Sequence, residues 1–199
     1  MRDLDSIIKA YDVRGIYPDQ LDEALAHDVG AAFVRVLGVA TAQGGPGAVC
    51  IGHDMRPSGP DLVASFADGV CEQGCDVILI GLCSTDGLYF ASGSLGLPGA
   101  MFTASHNPAE YNGIKLCRAG AAPVGRDTGL ADIKQMIRSG VPESDETMGE
   151  ARSRDTLADY AGYLRELVDL SDIRPLTVVV DAGNGMAGYI VPAVLGEDA

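Results

Sequence analysis

The residues best suited to chemistry stand together in Thr103-Ala104-Ser105-His106-Asn107-Pro108, with Asn112-Gly113-Ile114-Lys115 just downstream. The apolar run at 100–103 reads as a short buried strand. Ser105 therefore falls beyond a strand's carboxyl end, where open α/β sheets keep their ligand crevices. Pro108 stiffens the loop and biases Asn107 to an extended backbone. His106 can move a proton, and Lys115 supplies positive charge. A hydroxyl set among cations can take a phosphoryl group, because the developing charge is met by donors already in place. The plainer reading is a local turn in which Ser105 and Asn107 bond only nearby backbone. A Ser-His hydrolase fits poorly: neighbouring side chains diverge on an extended chain, and no G-x-S-x-G elbow frames the serine.

The elements that must position this loop follow from periodicity. Leu21, Leu25, Val29, Phe33 and Leu37 recur every four residues before Gly38, which predicts an amphipathic helix with a glycine stop. Leu62, Val63, Phe66 and Val70, closed by Gly74, predict a second. Residues 48–51 and the run DVILIGL at 76–82 read as buried strands. A short helix is expected at 86–92, a turn entering a strand at 112–117, and a helix at 127–139. Strands alternating with helices imply an α/β fold, a mainly parallel mixed sheet with helices on both faces. Residues 141–155 are polar and charged and read as a linker. Beyond it, 156–199 carries a helical pattern from Leu157 to Val168, then the strand-like LTVVVD at 176–181 and a glycine-rich AGNGMAG. That stretch is expected to open a second, similar domain, too short to bury a sheet of its own.

Composition narrows the partners. The 199 residues are 47 % hydrophobic and 21 % charged, as in a packed globular chain. The formal net charge of −14 disfavours nucleic acid and anionic membranes as partners. Any anionic substrate must be met by locally collected cations, and lysine occurs only at 9, 115 and 134. No run is long and apolar enough for a membrane span, and MRDLDSIIKAYDVRG offers no signal-peptide core. Five cysteines without C-x2-C spacing, and three scattered histidines, suggest buried thiols in a reducing cytoplasm rather than disulfides or zinc.

The chain resembles the alpha-D-phosphohexomutases, in particular the bacterial phosphomannomutase/phosphoglucomutase branch. TASHNP at 103–108 looks like that family's phosphoserine loop. Lys9-Ala10-Tyr11-Asp12-Val13-Arg14-Gly15 is similar to its K-x-Y-D-[IV]-R-G segment, and Gly52-His53-Asp54-Met55-Arg56-Pro57-Ser58 to its G-x-D-x-R-x-S. Asn112-Gly113-Ile114-Lys115 matches N-G-[FIY]-K, and Asp181-Ala182-Gly183-Asn184-Gly185 resembles the opening of its second domain. These blocks stand in family order. The resemblance implies that Ser105 carries a phosphoryl group between positions of a hexose phosphate through a bisphosphorylated sugar, with hexose 1,6-bisphosphate as activator. Lys115 and Arg14 would act as acid/base or charge stabilisers, and His106 would assist proton transfer. Tyr11, Asn107 and Arg14 would contact substrate, and Ser105 would ligate Mg2+. Asp54 and Arg56 are expected to support the loop. Cys83-Ser84-Thr85-Asp86 departs from the family's usual Thr-Pro pair. The family's metal-binding D-G-D-x-D-R loop, its sugar-recognition loop and its phosphate-binding loop have no counterpart in this sequence. The expectation is thus of an N-terminal portion, inactive alone, whose partners include C-terminal domains of the same polypeptide.

Two other functions fit parts of the sequence. A catalytically silent phosphosugar-binding domain could keep the same loop. Gly183-Asn184-Gly185-Met186-Ala187-Gly188 satisfies G-x-G-x-x-G and could mark a nucleotide-binding module. The acid Asp181 just before it weakens that reading, and a tight turn that uses glycine for backbone room is the simpler one.

Overall fold

The structure, a computed structural model, describes residues 2–39, 47–170 and 172–196. Seven strands form one sheet: β1 (Val13–Ile16), β2 (Ala48–His53), β3 (Asp76–Leu82), β4 (Gly99–Phe102), β5 (Tyr111–Arg118), β6 (Ala122–Pro123) and β7 (Ala151–Ser153). Their order is β1-β5-β4-β2-β3-β7, with β6 beside β5. Strands β4, β2, β3 and β7 run parallel, whereas β5 pairs antiparallel with β1, β4 and β6. The helices are α1 (Leu4–Ile7), α2 (Glu23–Leu37), α3 (Gly59–Glu72), α4 (Thr85–Leu95), α5 (Leu130–Ser139), α6 (Leu157–Leu167) and α7 (Ala187–Leu195).

Each long helix has a chemical start and stop. The Asp22 carboxylate accepts from the Leu25 N–H at 2.8 Å and caps α2, which ends at Gly38 with φ 65°. Ser84 caps α4 through the Gly87 N–H at 3.0 Å, and Gly96 with φ 66° closes it. On one face of the sheet, α2, α3 and α5 bury a core in which Phe66 lies between Phe33 and Phe102. On the other, Leu88 and Ala91 of α4 pack on Cys50, Ile80 and Met101. Helices thus cover both faces of a mixed sheet, as the alternation of patterns predicts.

Two local expectations need correction, and one strand goes unpredicted. Residues 141–155 are more than a linker: β7 extends the sheet beside β3, and a Cβ added at Gly149 would meet the Cys75 carbonyl oxygen at 2.0 Å. Residues 176–181 form no strand among the described residues. Their apolar side chains lie exposed, Val179 at 90 %, because no neighbouring strand pairs with them. Strand β1 is a four-residue element, too short for its alternation to be read from sequence. The glycine-rich segment does form a turn, with Gly183 at φ 52° and the Gly185 N–H bonded to Ala182 O at 2.7 Å. The strand that a dinucleotide fingerprint requires before it is missing.

Candidate active site

The carboxyl ends of β2 and β4 lie side by side, and the segments that leave them build the site. From β4 the chain runs through buried Thr103 and Ala104 into exposed Ser105 and His106. From β2 it runs through buried Asp54 and Arg56 into α3. Thr103 Oγ1 donates to Asp54 Oδ2 at 2.7 Å and accepts from the Ser105 N–H at 2.9 Å. Arg56 lies beneath the loop. Its Nη2 donates to Ser105 O at 2.9 Å and Asn107 O at 2.8 Å, and its Nη1 to Pro108 O at 2.7 Å and Tyr111 O at 2.8 Å. Arg56 Nε lies 3.4 Å from Asp54 Oδ2. So one planar guanidinium gathers four carbonyls of one loop.

Within that frame Ser105 adopts φ 52°, one of two positive-φ non-glycine residues among those described. A left-handed serine is costly and persists where its surroundings over-determine it. The hydroxyl is exposed, and Oγ lies 3.4 Å from His106 Nδ1, at the long end of a hydrogen bond.

A second group lies beside the loop. Arg14, on β1, pairs in register with Gly113 of β5. The register needs glycine there, since an added Cβ would meet Val13 O at 2.6 Å and Thr103 O at 2.8 Å. Arg14 Nη1 donates to Asn107 Oδ1 and, at 3.4 Å, to Ala104 O. Its Nη2 donates to Asp12 Oδ2 at 2.5 Å. Lys115 Nζ lies 3.8 Å from the same Asp12 oxygen. Arg14, Arg56 and Lys115 are answered by Asp12 and Asp54, which gathers three cations near the loop in a chain of net charge −14. Tyr11 is 82 % exposed at the rim and forms no polar contact among the described residues. The Arg126 N–H bonds to neighbouring Ala10 O at 2.8 Å.

The structure thus places Ser105 beside His106, bonds Arg14 to Asn107, and links Arg14 to Lys115 through Asp12. The family model described as phosphoglucomutase/phosphomannomutase, alpha/beta/alpha domain I, matches residues 5–142. The chain belongs to the phosphoglucomutase/phosphomannomutase family. It is 42 % identical over 184 residues to phosphohexose mutases of Xanthomonas campestris pv. campestris, covering 92 % of this chain and 40 % of the relative. It is 38 % identical to a phosphomannomutase of Escherichia coli, covering 94 % of this chain and 40 % of that protein. The crystal structure of a phosphoglucomutase/phosphomannomutase family protein from Burkholderia thailandensis superposes with a TM-score of 0.83 at 34 % identity, covering 98 % of this chain and 42 % of the other. The chain therefore spans about 40 % of the length of the curated relatives it matches.

Resemblance to the phosphohexomutases implies Mg2+, which needs several oxygen ligands in one place. Among the described residues no group of three or more His, Cys, Asp or Glu could hold a metal ion. The Asp12 carboxylate is engaged by Arg14 and Lys115, and Asp54 is buried on Thr103 and Arg56. The Ser105 hydroxyl is one oxygen, and Mg2+ asks for a near-octahedral oxygen set. These residues by themselves do not fit the ion.

The supporting roles of Thr103 and Asp12 are not legible from sequence, although both residues lie inside family motifs. Thr103 looks like a strand end, and its meaning comes from Asp54, 49 positions away. Asp12 could be read as an ion-pair partner of Arg14, but its link to Lys115 depends on the β1–β5 pairing.

Proposed function

We propose that this chain is the phosphoryl-carrying part of a phosphohexomutase that interconverts hexose 1-phosphate and hexose 6-phosphate. In the productive state Ser105 Oγ carries the phosphoryl group. The free hydroxyl oxygen of the hexose monophosphate bonds to phosphorus while the P–Oγ bond breaks. The sugar hydroxyl loses its proton, Oγ is left able to accept one, and the sugar becomes a 1,6-bisphosphate. The reverse step from the other phosphate restores phosphoserine, which accounts for hexose 1,6-bisphosphate as activator. His106, beside Oγ, moves the proton. Lys115 and Arg14 meet the charge on the transferring oxygens, and Tyr11, Asn107 and Arg14 contact substrate.

One observation carries this reading: Ser105 is held left-handed with its hydroxyl exposed on a loop fixed by Arg56, in a chain of this family. Residues 1–140 carry the phosphoserine loop and its supports, 141–155 run back along the sheet edge through β7, and 156–199 lead into the next domain. Mg2+ and sugar selectivity then depend on protein beyond these residues. Five buried free thiols suit a reducing cytoplasm.

Joined to the part of the Escherichia coli relative that it does not span, the chain is expected to convert mannose or glucose 1-phosphate to the 6-phosphate, while unjoined it turns over little. In the joined protein Ser105→Ala should lower kcat at least 10³-fold, as on loss of a covalent nucleophile. A joined protein in which that variant keeps its rate would refute the proposal. A silent phosphosugar-binding domain would bind hexose phosphate and give no turnover when joined.

A further inference from the structure

We infer that Arg56, acting with Thr103 and Asp54, is the positioning residue that sets the phosphoryl-carrying conformation of Ser105. This rests on the functional reading above but concerns a residue that never touches substrate. The side chain is 93 % covered, so it is not a docking group for an incoming phosphate. All four carbonyls that its guanidinium collects belong to residues 105–111. The Ser105 N–H is drawn inward as well, onto Thr103 Oγ1, which Asp54 orients.

Two physical consequences follow. Ser105 is held between a carbonyl fixed by Arg56 and an N–H fixed by Thr103, which leaves the backbone little room to relax from φ 52° to the ordinary β region. Turning carbonyl oxygens down onto a cation also removes their partial negative charge from the face where phosphoserine, carrying about −1.5 to −2 at neutral pH, must sit. The work is done by a fork of donors rather than by charge alone. An ammonium is a point charge with three donors and cannot reproduce the planar four-carbonyl grip.

The experiment compares wild type, Arg56→Lys and Thr103→Val, each joined as above to the remaining part of the Escherichia coli relative. The Ser105 Cα and Cβ chemical shifts report its backbone conformation. The rate of phosphate incorporation at Ser105 from mannose 1,6-bisphosphate with Mg2+, measured over a range of bisphosphate concentrations, reports its use. Arg56→Lys keeps the charge. It is expected to move the Ser105 shifts out of the left-handed range and to lower the maximal incorporation rate 10- to 100-fold, with little change in the half-saturating concentration. Thr103→Val, close to isosteric, should move the same shifts while the Cys50 and Leu116 amides, in strands β2 and β5, stay put. If Lys at 56 preserves both the left-handed shifts and the rate, the inference is overturned, and it is likewise overturned if Thr103→Val leaves Ser105 unmoved. Should the shifts move in both variants while wild type never takes phosphate, the positioning role stands and the mutase reading fails.

Discussion

Asp12 receives Arg14 Nη2 at 2.5 Å and lies 3.8 Å from Lys115 Nζ, so a single carboxylate holds two cations, of which Arg14 also bonds Asn107 of the Ser105 loop. Asp12→Asn should free both and slow phosphate transfer in the joined enzyme about 10- to 100-fold, roughly 1.4–3 kcal/mol of transition-state stabilisation. Steady-state kinetics checks this, and an unchanged kcat would reduce Asp12 to a surface ion pair. The five cysteines are a separate matter, since all are buried and none is bonded. Burial, with smaller contributions from the Cys117 thiol beside Cys50 and the Asp54 carboxylate beside Cys83, pushes the Cys50 and Cys83 thiols up to about 12. An unfolded thiol ionises near ~8.5. Below that pH both states keep the proton and these thiols leave stability unchanged. Between there and about 12 the unfolded chain ionises first, and stability falls as pH rises. The urea midpoint should therefore drop from pH 8 to 10.5, with a shallower slope in a Cys50→Ala, Cys83→Ala variant; equal slopes would contradict this. The sequence marks Ser105, His106 and Lys115 because their types and spacing form a pattern. It cannot mark Thr103, whose hydroxyl acquires meaning only when β2 and β4 align Asp54 beside it.

The loop is only as firm as the elements that end at it. Phe66 on α3 packs 5.4 Å from Phe102 at the end of β4, edge to face, and is fully buried. Phe66→Ala should cost about 3–5 kcal/mol in chemical denaturation, from lost transfer energy and the cavity left behind. A loss under ~1 kcal/mol would mean that this core can collapse around the site. At α2, burial acts to raise the pKa of Asp22, but bonds from Arg2 and the Leu25 N–H outweigh it and hold the carboxyl below its ordinary value. The sign follows from a depressed folded pKa. The contribution is present above about pH 4 and fades as pH falls through the lower folded value. Asp22→Ala should cost about 0.5–2 kcal/mol at neutral pH and approach wild type in strong acid, as paired denaturation curves at pH 7 and pH 2.5 would show. Helices α2 and α3 are legible because their apolar residues recur at helical spacing over several turns, and β3 because it is a continuous apolar run. Strand β7 is hidden: Ala-Arg-Ser carries no strand pattern, all three residues are exposed, and it forms only because β3 offers an open edge.

The molecule as a whole is uneven. Residues 5–142, matched by the family's first-domain model, contain nearly all of the buried core, whereas 167–180 leave Leu167, Val168, Ile173, Val178 and Val179 exposed. An unpaired apolar run of this kind invites strand pairing between copies. Val179→Lys should lower the associated fraction several-fold in size-exclusion chromatography at rising concentration, and an unchanged profile would show that the run does not drive association. The strand pattern of LTVVVD is plain in the sequence, yet a strand exists only where a partner pairs with it, and pattern alone cannot supply one. The central claim, that Ser105 carries phosphate, is tested most directly by peptide mass spectrometry after incubating the joined protein with mannose 1,6-bisphosphate and Mg2+. The account predicts the mass of one phosphate on the peptide containing Ser105, fragment ions that place it on that serine, and none in Ser105→Ala. Phosphate on another residue, or an equal gain in the alanine variant, would contradict it.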